Sequence, residues 1–153
     1  MFDTNVDTLF VWVAVGAVSV AVLGVVTELP STAPPDADGL ATTVDEVATS
    51  PPGSVESRQV AASEWSVTSR QLGLRSDGGT THATLLRPVV PAFTGRLAAV
   101  LDGENPEVIF DSPASFRRAI DRARTTTEQW RSAPDRVTIR HVAWGESDVT
   151  LVG

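Results

Sequence analysis

Residues 8–27, TLFVWVAVGAVSVAVLGVVT, form an uncharged run between Asp7 and Glu28. As a helix rising 1.5 Å per residue, the run extends about 30 Å, the thickness of a bilayer's hydrocarbon core. The following residues are far more polar. The pattern therefore predicts a short leader over 1–7, a transmembrane helix over 8–27 and a polar remainder large enough for one small domain.

A cleaved signal peptide is the competing reading of this run. Its marks are a basic n-region, an apolar stretch of 7 to 15 residues and a small-residue cleavage site. The leader MFDTNVD has no basic residue and the run is longer, so an uncleaved anchor is expected. A prepilin leader would also place a basic residue just before the apolar stretch. Phe10 and Trp12 suit an aromatic interface belt. Ala14, Ala17, Ala21 and Gly24 line one helical face with small side chains. Such a face allows close membrane-helix packing, although a segment so rich in Val, Ala and Gly also produces this spacing by chance. The positive-inside rule is silent, because the first basic residue is Arg58. A short leader is the easier end to leave in the cytoplasm, which places the domain outside.

Charge divides the rest. Residues 28–57 carry six acids and no base, whereas residues 58–153 carry eleven acids and all twelve arginines. The net charge of −7 therefore arises before residue 58, and the distal part is nearly neutral. A near-neutral domain argues against nucleic-acid binding, which needs a net basic surface. The absence of cysteine excludes disulfides, thiolate nucleophiles and zinc-thiolate sites.

Within 28–57, Pro30, Pro34, Pro35, Pro51 and Pro52 favour extended chain, while Leu40, Val44 and Val47 recur at helical spacing. This predicts an acidic, proline-rich stalk carrying a short helix over about 37–49, either lying against the domain or standing free. From Ser66 to Leu86 the alternation of Leu72, Leu74, Ala83 and Leu85 around Ser76-Asp77-Gly78-Gly79 predicts a hairpin, its first strand extended by Trp65 and Val67. Gly95–Leu101 reads as a short helix or turn and Glu107–Phe110 as a brief strand. Ser112 and Pro113 open the clearest helix, over 113–130, with Phe116, Ala119, Ile120, Ala123, Thr127 and Trp130 on its buried face. Arg136–Trp144 and Asp148–Val152 form a closing hairpin. The expected fold class is α+β: the transmembrane helix, then a domain of antiparallel hairpins over 58–153 with one long amphipathic helix.

Few residues point to chemistry. Arg117, Arg124 and Arg131 stand at heptad spacing, a candidate basic face for an acidic partner, although a solvated face partly neutralised by i,i+4 pairing with Asp121 and Glu128 is the better explanation. His82 and His141 lack metal-ligand spacing, and only convergence with Asp77 or Asp148 would make a site. Ser66, His82 and Asp77 could be imagined as a hydrolase trio, but no GxSxG elbow accompanies them. Trp65, Trp130 and Trp144 are expected in the core. The pattern predicts no enzyme, cofactor or metal. It favours a membrane-anchored interaction protein outside the cytoplasm; a tethered binding module for a small ligand or surface polymer is the alternative.

Several stretches carry a resemblance: the opening MFD, the Pro-Pro-Asp segment, GLRSDGGTTHATL (73–85) and SAPDRVTIRHVAWGESDVTLVG (132–153). Together with the lysine-free, acid-rich composition, they resemble a haloarchaeal family of single-pass membrane proteins of unknown function. The resemblance implies association with type IV pilus or Tad-like secretion machinery, and so a membrane or envelope protein partner. It brings no catalytic or ligand-binding residues.

Overall fold

Turn chemistry places the first strands. The computed structural model of the chain describes residues 32–153. Strand β3 (Gln71–Ser76) returns as β4 (Gly79–Thr84) around Asp77-Gly78, with Ser76 opposite Gly79. Gly79 adopts φ +124°, a conformation L side chains rarely take. A tight turn in which the Thr68 N–H donates to the Gln71 carbonyl joins β3 to β2 (Glu64–Val67). Trp65 and Val67 therefore belong to a strand of their own rather than extending β3. The two-residue strand β6 (Arg131–Ser132) pairs with β2 and completes an antiparallel sheet of order β4-β3-β2-β6.

The second sheet is assembled across the sequence. Its spine is the hairpin of β7 (Arg136–Trp144) and β8 (Ser147–Val152), which turns at Gly145 with φ +61°. Strand β1 (Val55–Gln59) pairs antiparallel with β7. Strand β5 (Val90–Pro91) runs parallel to β8, giving the order β1-β7-β8-β5. Pro91 lies on this sheet's edge strand, where a missing N–H does least harm.

Side-chain alternation makes the second sheet serve two cores. On one face, Val137, Ile139 and Val152 join Leu72, Leu74 and Leu85 of the first sheet and the buried stripe of α1 (Ala37–Thr49), where Leu40, Val44 and Val47 are nearly inaccessible. Asp36 caps α1 through the Gly39 N–H at 2.8 Å. On the other face, Val142, Val149 and Leu151 meet Val100 and Leu101 of α2 (Gly95–Leu101), Phe110, and Phe116 and Ile120 of α4 (Pro113–Arg124). Between α2 and α4, the single turn α3 (Pro106–Ile109) replaces the strand expected at 107–110; Pro106 suits a helical first position.

The expected fold is corrected in several respects. No helix among the described residues is long and apolar enough to cross a membrane. The run 8–27, with Ala14, Ala17, Ala21 and Gly24, lies outside the described residues. The domain is mixed α+β, but its hairpins do not account for it: a parallel pair, a long-range strand and the helical turn α3 complete it, while the segment Gly95–Leu101, read as a short helix or turn, is the helix α2. The helix expected in the acidic segment is present, yet its apolar stripe is core of both sheets and not a free stalk, because that face has nowhere else to be buried. A boundary between 57 and 58 would cut through β1. The long helix ends at Arg124 and not at 130. A run of Thr125, Thr126 and Thr127 follows, a β-branched stretch that weakens helix, and tertiary contacts then capture Glu128 and Trp130.

Candidate functional site

Helix α4 presents the most concentrated cationic surface. A reciprocal capping box fixes its start: Ser112 Oγ accepts from the Ser115 N–H, and Ser115 Oγ accepts from the Ser112 N–H, both at 3.2 Å. Pro113 supplies a preset first turn. Phe116 and Ile120 anchor the inner face, with Phe116 edge-on to Phe110. The outer face is thereby fixed, and Arg117, Arg118, Asp121 and Arg122 are exposed on it.

Arg118 and Arg122 converge with Arg96 of α2 around an open concavity of about 580 Å³, shared with Asp111, Ser115 and Asp121. Arg122 Nε donates to the Arg118 carbonyl at 3.2 Å, which holds one guanidinium along the helix. Arg96 lies 5.1 Å over the Phe110 ring and 3.8 Å from Asp111. Three guanidiniums and two carboxylates leave the site cationic by one charge but of mixed sign. Each guanidinium is a planar fork suited to bidentate recognition of carboxylates.

The heptad arginines do not share a face. Arg117 leans to the β7–β8 turn, 3.6 Å from Glu146. Arg124 lines a small cleft with Arg87, His141 and Asp148. Arg131 lies in β6, its guanidinium 3.9 Å above the Phe93 ring. The helix stops at Arg124, so the spacing 117–124–131 has no physical axis. Its i,i+4 neighbours Arg118 and Arg122 form the convergent set instead. Helical spacing exposes that pair in the sequence, whereas nothing there signals Arg96, whose position depends on how α2 meets Phe110.

The histidines are in different sheets and have different partners. Buried His141 on β7 has an acceptor at each ring nitrogen, with Nδ1 2.5 Å from the Ser50 carbonyl and Nε2 against the Asp148 carboxylate. It ties the end of α1 to the closing hairpin. Half-exposed His82 on β4 meets the Trp130 ring edge-on and stands 3.9 Å from Glu128. Ser66 donates to the same Glu128 at 3.0 Å, so the carboxylate lies between serine and histidine, while a nucleophilic triad needs the histidine in the middle. Asp77 sits in the β3–β4 turn. Among the described residues no group of three His, Cys, Asp or Glu side chains could hold a metal ion. Of the tryptophans, Trp65 is buried against Phe93 at 5.3 Å, Trp144 borders the core beside Phe116, and Trp130 lies partly buried under Arg75, 4.1 Å from its guanidinium.

Fold and site together define a small two-sheet α+β protein with an arginine-lined concavity on one helix. Residues 3–142 match the model of a family of unknown function, DUF7283, and the chain belongs to that family. No curated protein and no solved structure matches it.

Proposed function

We propose that this chain is an interaction protein, held at a membrane by its uncharged run 8–27, whose α+β domain docks outside the cytoplasm onto an acidic protein of an envelope assembly. The observation that carries the docking is the convergence of Arg96, Arg118 and Arg122 on one open concavity. Its carboxylates, Asp111 and Asp121, repel a uniformly anionic polymer and leave room for a patterned protein surface, where charge complementarity sets register and on-rate. The sequence resemblance supports a pilus or secretion apparatus of a halophilic archaeon as the assembly. The uncharged run and its aromatic boundary support membrane anchorage.

The test is crosslinking of intact cells followed by recovery of the full, C-terminally tagged chain. Envelope subunits copurify with the wild type and are lost from the double variant Arg118→Glu/Arg122→Glu, whose circular dichroism stays native because both positions are exposed. Retention of the same subunits by that variant removes the concavity from the docking surface. Recovery of the wild-type chain alone removes the docking reading.

A second reading, a tethered module for a small ligand or surface polymer, draws on the volume of the same concavity, which lies within the range of small-ligand sites. It predicts that the double variant loses binding of acidic oligosaccharides in calorimetry while the copurifying proteins are unchanged.

A further inference from the structure

Among the described residues, the β1 edge of the second sheet has no partner strand on its outer side. The ladder to β7 is bracketed by two hydrogen bonds, His141 N–H to the Ser54 carbonyl and Val60 N–H to the Asp135 carbonyl. Pairing parity then directs the backbone groups of Glu56 and Arg58 towards β7 and those of Val55, Ser57 and Gln59 away from it. Among the described residues, no backbone or side-chain group bonds to those three N–H and three C=O groups. Val55, Ser57 and Gln59 are exposed, and among the described residues Val55 is one of three large apolar side chains standing in solvent. Natural proteins guard such edges with proline, bulges or charges; the strand VESRQ contains no proline, and its two charges, Glu56 and Arg58, are of opposite sign and so complement each other across a two-fold axis.

We propose that β1 pairs antiparallel with β1 of a second copy, joining two four-stranded sheets into one of eight strands about a two-fold axis at Ser57. In this register Ser57 faces the partner's Ser57, and Val55 faces the partner's Gln59. All three outward residues then fall in hydrogen-bonded pairs, so each chain's three donors and three acceptors are used. Glu56 stands opposite the partner's Arg58, and Arg58 opposite the partner's Glu56; each Arg58 guanidinium also binds Asp36 and Thr43 of its own chain, so Glu56 shares it with them. Charge selects this register over its neighbours. Sliding by two residues one way opposes Arg58 to the partner's Arg58, and sliding the other way opposes Glu56 to the partner's Glu56. Opposite charges directly across a ladder stabilise it and like charges destabilise it. A two-fold contact requires the self-complementarity that this strand has.

The chain has no cysteine, so a single introduced thiol reports the contact. Across a hydrogen-bonded antiparallel pair the Cα atoms lie about 5.5 Å apart, a separation that a disulfide bridges. The full-length Ser57→Cys chain, in detergent under mild oxidant, forms a covalent dimer at least about tenfold faster than Thr84→Cys, which places the thiol on the exposed β4 edge of the other sheet. In sedimentation the wild type is expected to run with the mass of a dimer. Ser57→Pro removes the outward N–H together with the exposed Ser57–Thr138 hydroxyl contact and is expected to yield a monomer with a native spectrum, and Glu56→Arg to weaken association about tenfold or more. Equal crosslinking rates for the two thiols, a monomeric wild type, or a Ser57→Pro chain that stays dimeric would each overturn the proposal.

Discussion

The two sheets have four strands each and are put together in opposite ways. In the β4-β3-β2-β6 sheet, three strands follow one another within residues 64–84 through tight turns, and each pairs with its sequence neighbour. In the β1-β7-β8-β5 sheet, only the β7–β8 hairpin is local. Strand β1 crosses 81 residues to bring Ser57 beside Thr138, and β5 runs parallel to β8. Local turns fix the first sheet at little cost in loop entropy, whereas the second must be held by what lies against it. Helix α1 supplies much of that hold, because its buried stripe touches strands of both sheets.

Three substitutions bear on this contrast. The largest effect is expected from Leu40→Ala, which opens a cavity where α1 joins the sheets and should cost about 2–5 kcal/mol in chemical denaturation. Amide exchange should quicken in both sheets; protection lost from only one would show that α1 does not couple them. Gly73→Ala should cost about 1–3 kcal/mol, since the added Cβ would stand 2.6 Å from Ser66 Oγ and 2.8 Å from the Trp130 ring. Here faster exchange should be confined to β2, β3 and β4, and its spread to β7 would break the picture of a self-sufficient local sheet. The smallest effect belongs to Glu64→Gln. It removes a half-exposed cross-strand partner 2.7 Å from Arg75 and should change stability by less than about 1 kcal/mol, an effect that fades in high salt.

The same contrast explains what was legible in the sequence. The Asp77-Gly78-Gly79 turn, the closing hairpin at Gly145, the Ser112-Pro113 helix start and the 40–44–47 stripe of α1 are written in local chemistry, and each is present. A stripe declares that a face is buried without saying against what, so α1 read as a possible stalk. Thr127 and Trp130 continue the helical spacing, but Ser66 and Arg75, more than fifty residues earlier, hold Glu128 and Trp130 in another conformation. Strand β5 is two residues long with proline around it, too short for any periodicity. At the candidate site, the heptad trio depended on a helix that ends too early; Arg118 and Arg122, which the heptad spacing did not single out, follow from helical spacing once the buried face is fixed, and Arg96 is brought in by tertiary packing alone.

The cap of α1 has a mechanical consequence. Asp36 binds the Gly39 N–H and, 2.9 Å away, the Arg58 guanidinium on β1, while Arg58 also reaches Thr43. Tension applied to the chain ahead of Ala33 therefore enters at a clamp joining a helix start to an edge strand. Thr81 of β4, which donates to the Pro35 carbonyl at 2.8 Å, and Arg58 of β1 then share the load, each through a contact of modest strength. A domain wired in this way meets a pull at its helix start and at two edge strands together, backed by the buried stripe of α1.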